Sequence, residues 1–167
     1  MSNTQENLQA AFAGESQANR SYLFFAGKAD KDGNPQVARL FRAAADAETV
    51  HARNHLRTMG GIKSTRENLE AAIGGEHHEF TTMYPGFIKQ AKAENNKAAE
   101  TTFDWANQVE EIHHGLYQEA LKALDAGQQL KDEPYFVCQG CGNTVGGEAP
   151  DKCPVCGAPK SMFKRVE

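Results

Sequence analysis

The sequence predicts an all-α four-helix bundle over residues 1–130, followed by a small, metal-stapled β/loop domain over residues 134–167. Three observations predict it. Residues 5 to about 126 carry apolar side chains at helical spacing, broken only by turn signals. That stretch contains an internal repeat, so two helical hairpins of one design should pack with pseudo-twofold symmetry. All four cysteines lie between 138 and 156, in a tail rich in glycine and proline.

The first helix is expected from Thr4 to about Ala29, with Leu8, Phe12, Glu15, Asn19, Tyr22 and Ala26 on one face. Asp30 to Pro35 reads as a turn, with Gly33 and Pro35 as stop and restart signals. A second helix spans 35–58 and ends at Gly60–Gly61. Ser64 and Glu67 form a capping box that starts a third helix, whose inner face carries Leu69, Ile73, Glu76, Phe80 and Met83. Pro85 should kink or interrupt it before helicity resumes to about Ala93. A turn at AENNK leads to a fourth helix over about 97–126, which ends near Gly127. Residues 128–135 read as a polar linker.

The repeat is legible in single residues. Gly14-Glu15 matches Gly75-Glu76, and Asn34 and Phe41 match Asn96 and Phe103. Glu48-x-x-His51 and Glu110-x-x-His113 then follow seven residues beyond each phenylalanine.

Composition narrows the functional classes. A net charge of −4 argues against nucleic acid or an anionic membrane as partner. The N-terminal stretch lacks a basic segment followed by an apolar run, and nothing approaches eighteen uninterrupted apolar residues. The expected location is therefore cytoplasmic.

The chemistry lies in residues that interrupt the apolar stripes. Glu15, Glu48 with His51, Glu76, and Glu110 with His113 each fall on an inner helix face. Burying carboxylates and imidazoles there is unfavourable by several kcal/mol unless something compensates them. Spacing of i,i+3 puts each Glu/His pair on one face, one turn apart. One Glu from each of two helices and a Glu-x-x-His from each of the other two is the donor set of a bundle that holds two metal ions. Oxygen and imidazole donors suit Fe, Mn or Zn. Glu79, one turn beyond Glu76 where the first repeat has Ala18, reads as a surface residue, a nearby base or a seventh ligand. His55, His77, His78, His114 and Glu111 read as packing or solvated residues without assigned roles.

Cys138-Gln-Gly-Cys141-Gly and Cys153-Pro-Val-Cys156-Gly form two knuckles separated by eleven residues. Four thiolates in tetrahedral array suit one Fe or Zn. A zinc ribbon is the commoner structure of this type, and the redox-capable dimetal set upstream favours iron. Some thirty residues cannot bury a self-sufficient core, so the tail needs this staple.

With both halves assembled, the sequence resembles the rubrerythrins, in which a ferritin-like di-iron domain is joined to a C-terminal rubredoxin-like domain. AFAGESQANR, AETVH, GGEHHEFTTMYP, VEEIH, CQGCG and CPVCGAPK carry the resemblance over essentially the whole chain. It implies an oxo- and carboxylate-bridged di-iron pair bound by Glu15, Glu48, His51, Glu76, Glu79, Glu110 and His113, with Glu48 and Glu110 bridging. It also implies one iron on Cys138, Cys141, Cys153 and Cys156, with zinc as a substitute metal. Glu79 and His51 exchange as ligands between oxidised and reduced states in that family, and Tyr22 and Tyr84 match tyrosines that donate hydrogen bonds near the site. Phe80 stands where some members carry tyrosine.

The implied activity is an NADH-linked peroxidase that reduces hydrogen peroxide to water in oxidative stress defence. Electrons would reach the di-iron pair through the iron of the four-cysteine site, from rubredoxin or an NADH:rubredoxin reductase. The implied assembly is a homodimer, with domain swapping left open. Two alternatives remain at this stage: a ferroxidase or iron-handling protein, and a zinc-ribbon interaction module on a structural bundle.

Overall fold

The computed structural model describes residues 3–166, so the outermost ends of the two expected domains, at residues 1, 2 and 167, lie outside the described residues. The chain forms two compact units, divided along the sequence between Lys63 and Ser64.

The first unit is a helical hairpin of α1 (Thr4–Lys31) and α2 (Pro35–Thr58). Asn3 caps α1 with a capping box to Glu6, and Pro35 starts α2 at a position where its missing N–H is not needed. Ala26, Ala38 and Ala45 are almost wholly buried, so small side chains set the interface between the two helices. Phe41 packs against Ala26, Ala29 and Ala38. Tyr22, Phe25 and Phe41 form an aromatic triad with ring centroids 5.6–6.3 Å apart.

The second unit holds the remaining helices and the cysteine tail. Ser64 and Glu67 make the expected capping box at α3 (Thr65–His78). The predicted interruption falls before Pro85 as one π-helical turn, Glu79–Met83, followed by α4 (Tyr84–Ala93). α5 spans Lys97–Asp125. Tyr84, Phe87 and Phe103 repeat the first unit's aromatic triad, with centroids 5.5–6.3 Å apart.

The π turn explains a one-residue mismatch in the repeat. Glu76 stands sixty-one residues after Glu15, whereas Tyr84 stands sixty-two after Tyr22. One residue has been added between Glu76 and Tyr84, and a π turn absorbs an extra residue without ending the helix. The turn that closes each hairpin obeys the later offset: Gly33 and Asn95 both adopt left-handed backbone, at φ of 75° and 57°.

The tail is a three-stranded antiparallel sheet of order β2-β1-β3, with β1 Tyr135–Cys138, β2 Thr144–Gly146 and β3 Phe163–Val166. Cys138 pairs with Phe163 and Val137 with Thr144. This helical fold with a small strand-bearing tail is the class the sequence predicts.

Candidate metal centre

In the first unit, α1 presents Glu15 while α2 presents Glu48 and His51 one turn apart. One ligand atom from each lies within 4.8 Å of the others. His51 Nδ1 is 2.8 Å from Glu48 Oε2 and 3.9 Å from Glu15 Oε1. Asn19 fastens the hairpin beside this cluster: its Nδ2 donates to the Ala45 carbonyl at 2.6 Å and the Thr49 hydroxyl at 2.8 Å. Glu48 is mostly covered, whereas the His51 side chain is 53% exposed.

The second unit builds the same arrangement from Glu76 on α3 with Glu110 and His113 on α5. His113 Nδ1 lies 2.8 Å from Glu110 Oε2, matching the His51–Glu48 distance. The His113 side chain is 26% exposed, half the exposure of His51. Its other nitrogen, Nε2, lies 2.9 Å from the Thr144 hydroxyl on β2.

Three acidic side chains strain one another here. Burial, then the nearby Glu110, pushes the Glu76 carboxyl up to about 7. Burial and Glu110 also raise Glu79, against the opposing pull of His78 and His113. Tyr84 is raised by burial and then by Glu79, Glu110 and Glu76, so its phenol feels the same negative cluster. His113 is raised chiefly by its hydrogen bond to Glu110, with burial opposing. A bound cation would offset the mutual repulsion of these carboxylates. Carboxylate and imidazole donors fit a hard or borderline divalent ion such as Fe²⁺.

His77 and His114 have a different role. They pack with Phe80, at centroid distances of 5.3–5.6 Å within this aromatic group. Tyr22 enters the first unit's aromatic triad rather than a histidine cluster.

The four cysteines converge as free thiols. Cys138 Sγ lies 3.6 Å from Cys156 Sγ, and Cys141 Sγ 3.5 Å from Cys153 Sγ. A tetrahedron with metal–sulfur bonds of about 2.3 Å has sulfur–sulfur edges of about 3.8 Å, so the spacing fits a single ion. Gly142 and Gly157, each just after the second cysteine of a knuckle, adopt φ of 89° and 76°. The thiols differ. Burial raises Cys141 and Cys156. Burial also opposes ionisation of Cys153, but the backbone N–H groups of Cys156 and Val155, with the neighbouring Cys141 and Cys156 thiols, outweigh it and lower that thiol to about 7. The Asn143 amide, almost wholly buried, adds a donor 3.7 Å from Cys153 Sγ.

Residues 6–121 match the rubrerythrin family, and residues 136–164 match the rubrerythrin rubredoxin-like domain. This chain belongs to the rubrerythrin family. Rubrerythrin-2 of Clostridium acetobutylicum is 33% identical over 96% of this chain and 95% of its own length. A rubrerythrin of Nitratidesulfovibrio vulgaris is 34% identical, covering 98% and 94%. A mixed-valence nigerythrin structure is 35% identical over 99% of this chain and 88% of that one, with a TM-score of 0.58. A fully reduced, all-ferrous nigerythrin structure gives a TM-score of 0.59 at 34% identity and the same coverage.

Rubrerythrins are di-iron oxidoreductases of the oxidative-stress type. A di-iron site and a four-cysteine iron site are therefore this rubrerythrin's cofactor sites. The carboxylate–histidine clusters and the four thiols supply the corresponding donors. No helix among the described residues is long and apolar enough to cross a membrane.

The sequence reading missed Thr144. It lies thirty-one residues beyond His113, so no helical periodicity connects them. Only the docking of the sheet against α5 brings them together.

Proposed function

We propose that this rubrerythrin-family protein is an NADH-linked peroxidase that reduces hydrogen peroxide to water. Glu15, Glu48, His51, Glu76, Glu79, Glu110 and His113 hold the two irons, and Cys138, Cys141, Cys153 and Cys156 hold the third. The observation that carries this reading is the repetition of one donor geometry, Nδ1 of a histidine 2.8 Å from the carboxylate one turn earlier, in both units. When bound, the iron pair supplies the two electrons that O–O cleavage requires, and its two ions suit a two-oxygen substrate.

The protein side of the work divides by residue. Glu48 and Glu110, each 17% exposed, would hold the ions as fixed ligands. His51 and Glu79 would be the alternating ligands. Greater exposure gives His51 room to turn, and among the described residues no group holds its second ring nitrogen, in contrast with His113. Glu79 stands at the first position of the π turn, in electrostatic contact with Glu110 and His113. Tyr84 contributes a protonated phenol next to these carboxylates, suited to hydrogen-bonding a developing anion.

Electrons would come from NAD(P)H through a separate rubredoxin-type reductase, or through rubredoxin, with the four cysteines holding the iron that would receive them. The protein works in the cytoplasm as a homodimer. On the first unit Phe24 is 75% and Leu40 68% exposed, large apolar side chains that a second copy would cover. The test is peroxide-dependent NADH oxidation by the iron-loaded protein with a rubredoxin-type reductase present. Cys138→Ser should abolish coupling to NADH while leaving a single turnover of the chemically reduced di-iron site. Wild-type coupled rates in that variant would refute the electron route. Retention of the ferric product, with no peroxide consumed, would favour iron handling instead.

A further inference from the structure

A short hydrogen-bond chain joins the cysteine domain to the second carboxylate–histidine cluster. Thr144 opens β2, three residues beyond Cys141. Its Oγ1 lies 3.1 Å from the Gly142 carbonyl oxygen and 2.9 Å from His113 Nε2. The contact is supported by packing: Val109, one turn before His113 and 2% exposed, lies against Gly142. A side chain at Gly142 would approach Val109 Cγ1 and would also be strained by the positive φ there.

The direction of each bond follows from proton counting. A carbonyl oxygen only accepts, so the single Thr144 hydroxyl proton goes to Gly142. Toward His113, Oγ1 can then only accept. Nε2 must therefore carry a proton, and Nδ1 is the nitrogen that can offer a lone pair to a metal. That nitrogen already faces Glu110 at 2.8 Å.

We propose that Thr144 is a positioning residue: a hydroxyl from the cysteine domain that fixes the Nε2–H tautomer of His113 and aims Nδ1 at the metal beside Glu110. Partners on the far nitrogen of a metal-bound histidine fix both tautomer and ring orientation. The two histidines thereby become unequal. His113 is held from behind by the same knuckle that carries Cys141, while His51 is paired through Nδ1 with Glu48 and, among the described residues, no group meets its Nε2. The inference rests on the assignment of His113 as a metal ligand.

The test uses the full chain with zinc as a diamagnetic stand-in for iron, after the four-cysteine site has been filled. Histidine labelled with ¹⁵N should show zinc on Nδ1 of His113 and a slowly exchanging proton on Nε2. Thr144→Val should make that proton exchange rapidly and weaken zinc binding at Glu76, Glu110 and His113 by ~10–100-fold. Thr144→Ser, which keeps the hydroxyl, should restore both. Zinc on Nε2 in the wild-type protein would overturn the proposal even if Thr144→Val failed to fold. Unchanged exchange and affinity in a folded Thr144→Val would overturn it too. None of these readouts needs turnover, so a protein that binds zinc as described yet reduces no peroxide would refute the peroxidase reading alone.

Discussion

Raising the pH should destabilise the metal-free protein, and the loss should begin well below neutrality. Glu76 is held up to about 7 from its ordinary 4.5, first by burial and then by Glu110. Between those values the folded chain binds a proton that the unfolded chain has released, so stability falls as pH rises. Below the lower value both states are protonated, and above the upper one both are ionised, so the effect is confined to that window. His113 acts with the same sign: its folded value lies above 6.5, so its stabilisation is complete below 6.5 and is lost as pH rises through the folded value. Asp30 and Glu100 have lowered values, so their contributions are lost only as pH falls through the acid range.

A rise from 4.5 to about 7 corresponds to ~3.4 kcal/mol at full strength. Glu76 keeps contact with solvent, and screening reduces the effect to ~1–2 kcal/mol. The assay is urea denaturation of metal-free wild type and Glu76→Gln across the range from about pH 5 to about pH 8. Wild type should lose ~1–2 kcal/mol more than the variant over that range. The difference between the two proteins cancels the titration of the cysteines and of groups remote from residue 76. Parallel profiles, or a wild type that gains stability relative to the variant, would refute the reasoning. Metal loading should reverse the trend, because the cation competes with the protons and binds better as they leave.

Removing the ion from the four-cysteine site should unfold the tail alone, since structural metal binding of ~10–16 kcal/mol replaces the core that so short a segment lacks. Limited proteolysis should then cut within residues 128–166 while helical circular dichroism persists. Ala38→Leu should lower stability by ~1–3 kcal/mol, because a side chain with no exposed surface between α1 and α2 leaves no room for added methylenes. A drop below about 0.5 kcal/mol in its urea midpoint-derived stability would show that the hairpin relaxes to accommodate the leucine, as surface positions do.

Local signals made most of the fold legible. The Ser64–Glu67 capping box, the glycine-bearing turn after α1 and the paired knuckles each act over a few residues, and each appears where its spacing puts it. The six repeated donors were legible for the same reason, since helical periodicity alone decides that Glu48 faces the same way as His51. Contacts that depend on tertiary docking were not legible. Nothing in the order of residues announces that Thr144 reaches His113, or that Asn19 bridges Ala45 and Thr49 across the hairpin.

The one-residue mismatch between the repeats was visible in the sequence, but its meaning depends on helix geometry. An added residue in an α-helix rotates everything beyond it by about 100°, which would turn the following face away from the core. Here Tyr84, Phe87 and Phe103 form the same triad as Tyr22, Phe25 and Phe41, so the rotation has been absorbed before Tyr84. The π turn at Glu79–Met83 absorbs it. Its first residue is Glu79, the carboxylate for which the first repeat offers only Ala18. Insertion and extra acid therefore belong to one departure from symmetry. That departure lies next to Glu110 and His113, so the second unit has gained a carboxylate while keeping the aromatic packing that positions its helices.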